Sequence, residues 1–194
     1  MKKILTLLFL GLCFTTTACL ADDDNQSEQA KLLYAENNIR PAFDILISIP
    51  EDKRTTENWL FLGNILHDTQ KNDDALYMYS QALIVSPKNY KALYNMANIY
   101  LESDRLQDAV NEYKKAIKIK DDFAYAHYNL GCAYIRLGKL KDARNEFLKA
   151  VTINNQVPDF YYNLAYVYKK LNNPKLAKEY LEIYNKMNKD DADI

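Results

Sequence analysis

The chain has 194 residues, enough for one domain or a short array of repeats. Only 4 glycines against 16 tyrosines, with 48% hydrophobic residues, describe an ordered, helix-rich and aromatic-rich protein rather than a disordered one. Lys+Arg number 25 and Asp+Glu 26, so the formal net charge is −1, without the basic excess of a nucleic-acid or anionic-membrane binder.

Residues 1–21 read as an export signal rather than as part of the fold. Lys2-Lys3 supplies the positive start, residues 4–14 are apolar, and Thr15-Thr16-Thr17-Ala18-Cys19 is a small-residue cleavage region. Thr16-Thr17-Ala18-Cys19 resembles the lipobox of bacterial lipoproteins, with Thr16 where Leu is usual. That resemblance implies lipidation of Cys19, which would become the first mature residue. The alternative is ordinary cleavage after Cys19-Leu20-Ala21, leaving Asp22 first. A third reading, residues 4–21 kept as an anchor, is barely long enough to span a bilayer and is disfavoured by its Thr-rich end. Cys13 lies inside the signal and Cys19 is removed or lipidated, so Cys132 is the sole mature thiol, without an intramolecular partner.

Residues 22–55 hold a degenerate unit behind an acidic tether, Asp22-Asp23-Asp24. Ala30, Leu33, Ala42, Leu46 and Ile49 stand 33 residues ahead of Gly63, Leu66, Ala75, Tyr79 and Ala82. Pro50 cuts the second helix of this unit short, and residues 51–55 read as a polar loop. From residue 56 the pattern repeats every 34 residues, giving units at 56–89, 90–123, 124–157 and 158–191 with a tail at 192–194. Ala75 recurs as Ala109, Ala143 and Ala177; Leu62 as Met96, Leu130 and Leu164; Gly63 as Ala97, Gly131 and Ala165; Tyr79 as Tyr113, Phe147 and Leu181; Ala82 as Ala116, Ala150 and Tyr184. Small residues stand where two helices approach closely, and large ones fill the space around them. One more column, Gln70, Asp104, Gly138 and Asn172, falls between the helices of each unit. Gly and Asn favour the left-handed conformation that ends a helix, Asp tolerates it, and Gln suits it less well. Pro87 stops a helix, while Pro41 and Pro174 fall in first turns, where proline is tolerated. The last helix is expected over 174–187, followed by a frayed end.

These columns resemble the tetratricopeptide repeat, a helix–turn–helix unit of the same period. The resemblance implies an all-α, right-handed superhelical solenoid of about five units. It also implies that the first helices line a concave face where a protein or peptide partner binds. The columns on that face include Tyr94, Tyr128 and Tyr162; Asn95, Asn129 and Asn163; and Asn64, Asn98, Cys132 and Tyr166. Tyrosine offers flat amphipathic contact area, and an Asn amide can pair with an extended backbone through donor and acceptor. The candidate groove residues are therefore Tyr94, Asn95, Asn98, Tyr128, Asn129, Tyr162 and Asn163.

Some repeat proteins of this kind clamp a C-terminal carboxylate with groove asparagines plus Lys and Arg from the following repeats. Here the matching columns hold Tyr125 with Asn129, or Asp159 with Asn163, so that clamp is excluded. Arg136, Lys169 and Lys170 gather only at one edge. Nothing points to an enzyme, a cofactor or a metal. His67-Asp68 are adjacent and so diverge by about 100° on a helix. His127 takes the packing column of Trp59. Asp73-Asp74 and Asp121-Asp122 suit helix starts. No Gly-rich phosphate loop, Cys/His spacing or nucleophile motif occurs.

The expectation is thus an exported scaffold, periplasmic or anchored through lipid on Cys19, that holds a protein or peptide. With lipid on Cys19 it resembles the outer-membrane helper lipoproteins with such repeats that assist secretin or pilus assembly. The other reading is a self-associating module, a homodimer included, working through its Leu181/Tyr184 end or its convex side.

Overall fold

The computed structural model describes residues 25–190. The signal at 1–21, the lipidation candidate Cys19 and the tail at 192–194 lie outside them. Among the described residues all regular structure is helical, and no helix is long and apolar enough to cross a membrane. The chain divides between Val85 and Ser86 into two compact units.

The first unit contains α1 (25–35), α2 (Ile39–Ser48), a single 3-10 turn (Glu51–Lys53), α3 (Thr56–Asp68) and α4 (Asn72–Val85). Ala30, Ala42, Leu46 and Ile49 are buried, as their match to the repeat columns requires. α1 lies along α3: Asn58 donates to Ser27 Oγ at 2.7 Å, the Tyr34 and Phe61 rings meet edge to face at 5.1 Å, and Tyr34 OH donates to Asp68. α2 does end ahead of Pro50. Residues 51–55, expected as a plain polar loop, are more ordered than that. Arg54 is buried and donates from Nε to Ile49 O and from Nη2 to Ile47 O, both at 2.9 Å, while its guanidinium lies 4.7 Å from the centre of the Trp59 ring. A charge at the carbonyl end of α2 is favoured by the helix dipole. Five fixed donors let one side chain serve two carbonyls that the truncated helix leaves open. Thr55 and Asn58 then form a reciprocal capping box that starts α3.

The second unit contains three hairpins: α5 (Tyr90–Glu102) with α6 (Leu106–Ile119), α7 (Ala124–Arg136) with α8 (Leu140–Ile153), and α9 (Pro158–Lys170) with α10 (Pro174–Asp190). α10 continues through Asp190, past the frayed end expected after 187. Each second helix α6 and α8 packs on the first helix of the hairpin that follows. Ala150 is fully buried against Ala124 and Phe160, so it forms the seat on which the next hairpin nests.

In the α3/α4 and α7/α8 hairpins an aromatic ring is laid directly on a helix backbone. A Cβ added to Gly131 would stand 2.6 Å from the Phe147 ring, and one added to Gly63 would stand 2.4 Å from the Tyr79 ring. Both rings are fully buried. Burying such a ring stabilises by about 2–3 kcal/mol, and the bare backbone is what lets it in.

The turns inside the hairpins share one geometry. Asn37, Gln70, Asp104, Gly138 and Asn172 all have positive φ, between 58° and 72°. In each turn the following N–H reaches back five residues, as in Lys71 N–H to Leu66 O and Lys139 N–H to Tyr134 O, both at 2.8 Å. This is a Schellman ending. Asn37 joins the column that the sequence showed at four positions, and Gln70 adopts the conformation despite its Cβ. A Cβ at Gly138 would meet nothing within 4 Å, so any penalty there is conformational alone.

This gives a paired expectation for thermal or denaturant unfolding. Gly138→Ala lowers stability by about 1 kcal/mol and Gln70→Gly raises it by a similar amount. Equal signs for the two changes would contradict the common turn geometry.

Candidate functional site

All seven groove candidates lie in the second unit: Tyr94, Asn95 and Asn98 on α5, Tyr128 and Asn129 on α7, Tyr162 and Asn163 on α9. The translation of one repeat brings them onto neighbouring first helices. There Tyr94, Asn98 and Asn129 contact one another, as do Tyr128 and Asn163. Asn129 Nδ2 donates to Tyr94 OH and to Asn98 Oδ1, each at 3.0 Å. Asn98 Oδ1 also accepts from Tyr113 OH at 2.6 Å. One repeat later, Asn163 Nδ2 donates to Tyr128 OH at 2.7 Å and to Asp159 O at 3.3 Å. The first unit has a shorter version, with Tyr79 OH donating to Asn64 Oδ1 at 2.9 Å.

The tyrosine rings complete these rungs. Tyr94 packs on Phe123 with centroids 4.8 Å apart and on Tyr113 at 5.8 Å; Tyr128 stacks on Phe160 at 4.8 Å and meets Phe147 at 5.6 Å. Burial raises the Tyr94, Tyr113 and Tyr128 hydroxyls above the usual phenol range, so all three act as neutral hydrogen-bonding groups. Tyr94 and Tyr128 are therefore joints between hairpins first and contact surface second. The amides are not the two-way groups that their sequence columns suggested. The donor halves of Asn129 and Asn163 are engaged within the protein.

Tyr162 differs from its column. It is half exposed, and its ring meets Tyr184 at 5.2 Å. Tyr125 and Tyr166, on the same first helices, are also exposed and were not among the seven candidates. Asn95 is half-buried beside Tyr94.

The geometry also places the edge cations and the thiol. Arg136 is not an open cation at the edge: its guanidinium donates to Leu101 O and, at 2.7 Å, to Asp104 Oδ1, tying α7 to the end of α5. Lys169 and Lys170 remain exposed there. Cys132 is half-buried beneath the rungs, and burial pushes its thiol up to about 11, with Tyr128 offsetting part of that. It is a packing residue and a poor nucleophile.

His127 is a packing residue too, but a polar one, which sequence reasoning missed. It is buried, with Nδ1 2.6 Å from Glu146 Oε2 and Nε2 3.1 Å from Asp121 O. Burial works to raise the Glu146 carboxyl, yet hydrogen bonds from His127 and Lys149 outweigh it and hold the group below the ordinary carboxylate range. Both imidazole nitrogens are thus engaged within the protein and join the start of α7 to α8. Among the described residues no cluster of His, Cys, Asp or Glu could hold a metal ion.

Comparison with known proteins agrees with this geometry. The family described as TPR repeat matches residues 63–104, 97–138 and 133–172, and a second description, tetratricopeptide repeat, matches 158–191. The chain belongs to the tetratricopeptide-repeat family. Members build extended surfaces from stacked helix pairs and use them to contact other proteins. No curated protein matches significantly in sequence. Among solved structures, "Crystal structure of MamA" is 18% identical with a TM-score of 0.77, covering 85% of this chain and 97% of that one. "MamA RS-1 ArsTM double mutant" is 16% identical with a TM-score of 0.80, covering 89% and 97%. "MamA 41-end from Desulfovibrio magneticus RS-1" is 16% identical with a TM-score of 0.77, covering 87% and 96%. At such identities the likeness is one of fold.

The Cys132 environment has a measurable consequence. Alkylation of Cys132 in the folded chain at pH 8 should run roughly a hundredfold slower than alkylation of a free cysteine. The rate should climb with pH until about 11, where the thiol ionises. Mass spectrometry of the Cys132 peptide follows it, and a plateau near pH 8 would show a thiol that burial does not perturb.

Proposed function

We propose that the protein is a non-enzymatic scaffold that holds an extended segment of another protein along the first helices of its second unit. The observation that carries this reading is the pair of rungs, which fix Asn129 and Asn163 one repeat apart with their amide hydrogens engaged. Their oxygens are then the groups that accept from the bound segment. Backbone N–H groups of an extended chain are the complementary donors, and they demand no particular sequence. Exposed Tyr125, Tyr162 and Tyr166 supply flat contact area beside those oxygens. Because the rungs are already made, the segment would meet a surface that needs little ordering, which favours affinity.

The test is site-specific photocrosslinking in cells from a residue replacing Tyr125. A discrete adduct is expected. It should be lost in the Asn129→Ala/Asn163→Ala variant and kept in Ile153→Ala, on the opposite helix layer, with melting curves confirming that both variants fold. An adduct indifferent to both asparagines would remove the groove reading.

We also propose that the scaffold works outside the cytoplasm of a bacterium, in the periplasm or held at a membrane by lipid on Cys19, and assists assembly of envelope or secretion structures. Lys2-Lys3, the apolar run at 4–14 and the lipobox-like Thr16-Thr17-Ala18-Cys19 support this. The mass of the mature N-terminus decides it. A diacylglyceryl-modified Cys19 is the expected product, Asp22 as first residue would support export without an anchor, and an intact Met1 would overturn export.

A further inference from the structure

The hairpin α9/α10 presents a face that the hairpins before it cover. In α5/α6 and α7/α8 the same columns are overlaid by the first helix of the next hairpin. Tyr113 and Phe147 are then fully buried, and Tyr128 lies under Phe160. In α9/α10 the corresponding side chains stand open among the described residues: Tyr162 is 51% exposed, Tyr166 40% and Leu181 40%. They line an open trough of about 410 Å³ between the two helices. Its form is that of a seat for one helix, because a helix fills it at both preceding positions.

The rim differs from those internal junctions in charge. Leu101 and Ile135, which pack on the core in the earlier hairpins, are replaced in their column by Lys169; Val110 is followed by Arg144 and then by Lys178. Lys169 and Lys178 both line the trough. Glu182 lies 3.7 Å from Lys178, but both side chains are mostly exposed and such a pair is worth little. Tyr184 adds a second constraint. It stands in the column of Ala150, the seat of Phe160, and its own ring already covers Tyr162 at that end.

We propose that this face takes an amphipathic helix from another protein, with acidic side chains opposite Lys169 and Lys178 and a small residue where Phe160 has its ring. Apolar contact with Tyr166 and Leu181 supplies the attraction, and the two lysines select the sign of the helix. A second copy of this chain stacking in repeat fashion is the competing occupant. It is disfavoured because the leading helix of a second copy, 25–35, carries Tyr34 and Ala35 in the columns of Lys169 and Lys170 and so brings no acid to that end of the rim.

Two synthetic peptides test this against the full chain. Both copy residues 158–172 with Phe160→Ala; one also carries Lys169→Glu and Lys170→Glu, and the other keeps both lysines. At low salt the acidic peptide should bind roughly tenfold more tightly by fluorescence anisotropy. The Lys169→Glu/Lys178→Glu protein should reverse that order, and Leu181→Asp should abolish both signals. Equal binding of the peptides, binding of neither, or an order unchanged by the protein variant would overturn the proposal. So would a concentration-dependent dimer in sedimentation that Leu181→Asp dissolves, since the occupant would then be a second copy. None of these variants touches Asn129 or Asn163, so failure here leaves the reading of the first-helix face standing.

Discussion

The structure depends on how closely two antiparallel helices can approach. Gly63 and Gly131 expose bare backbone, and the Tyr79 and Phe147 rings lie on it where no Cβ would fit. Each contact is local to one hairpin, yet the hairpin cannot cover its own apolar face. The next one must nest on it, as Phe160 does on Ala150. Stability in such an array is the sum of hairpins and their interfaces rather than the property of one central core. The Gly/Ala column, the alanine columns and the column of large side chains are a single requirement expressed at different places in the unit.

That requirement also explains the character of the candidate site. A surface that has to bind something must first be held in shape, and here the same residues take part in both. Asn129 and Asn163 bridge successive first helices, and Tyr94 and Tyr128 wedge between hairpins. The donor sides of those amides are taken up by the scaffold, and the exposed aromatic area on these helices comes mainly from the Tyr125, Tyr162 and Tyr166 rings. Arg136 and Cys132, which could have been read as chemistry, serve packing and register instead.

Much of the fold was legible from spacing, because nesting at a fixed interval demands small residues at a fixed interval. Ala75, Ala109 and Ala143 stand in sequence 34 apart and are all fully buried. What spacing could not show were contacts that happen once. Arg54 lies in a stretch that reads as an ordinary polar loop, and only the folded position of Trp59 and the open carbonyls of α2 give it a purpose. His127 sits in an apolar column, so its pairing with Glu146 from α8 has no periodic signal. The rungs fall between. Their residues recur, but whether an amide faces a ligand or the neighbouring hydroxyl depends on distances of a few tenths of an ångström, and a column of letters carries none.

Tyr184 has a consequence for how this architecture can change. Arrays of this kind grow by duplication of whole hairpins, and a copy inserted after α8 would find the small seat that Ala150 offers. A copy appended after α10 would meet a phenol ring already folded onto Tyr162. Lengthening at that end by a copy of α9 therefore takes a second change, a small residue either at Tyr184 or in place of the copied Phe160, whereas a copy of α7 already brings Ala126 to that position. A single bulky side chain thus sets which hairpin can be copied onto that end.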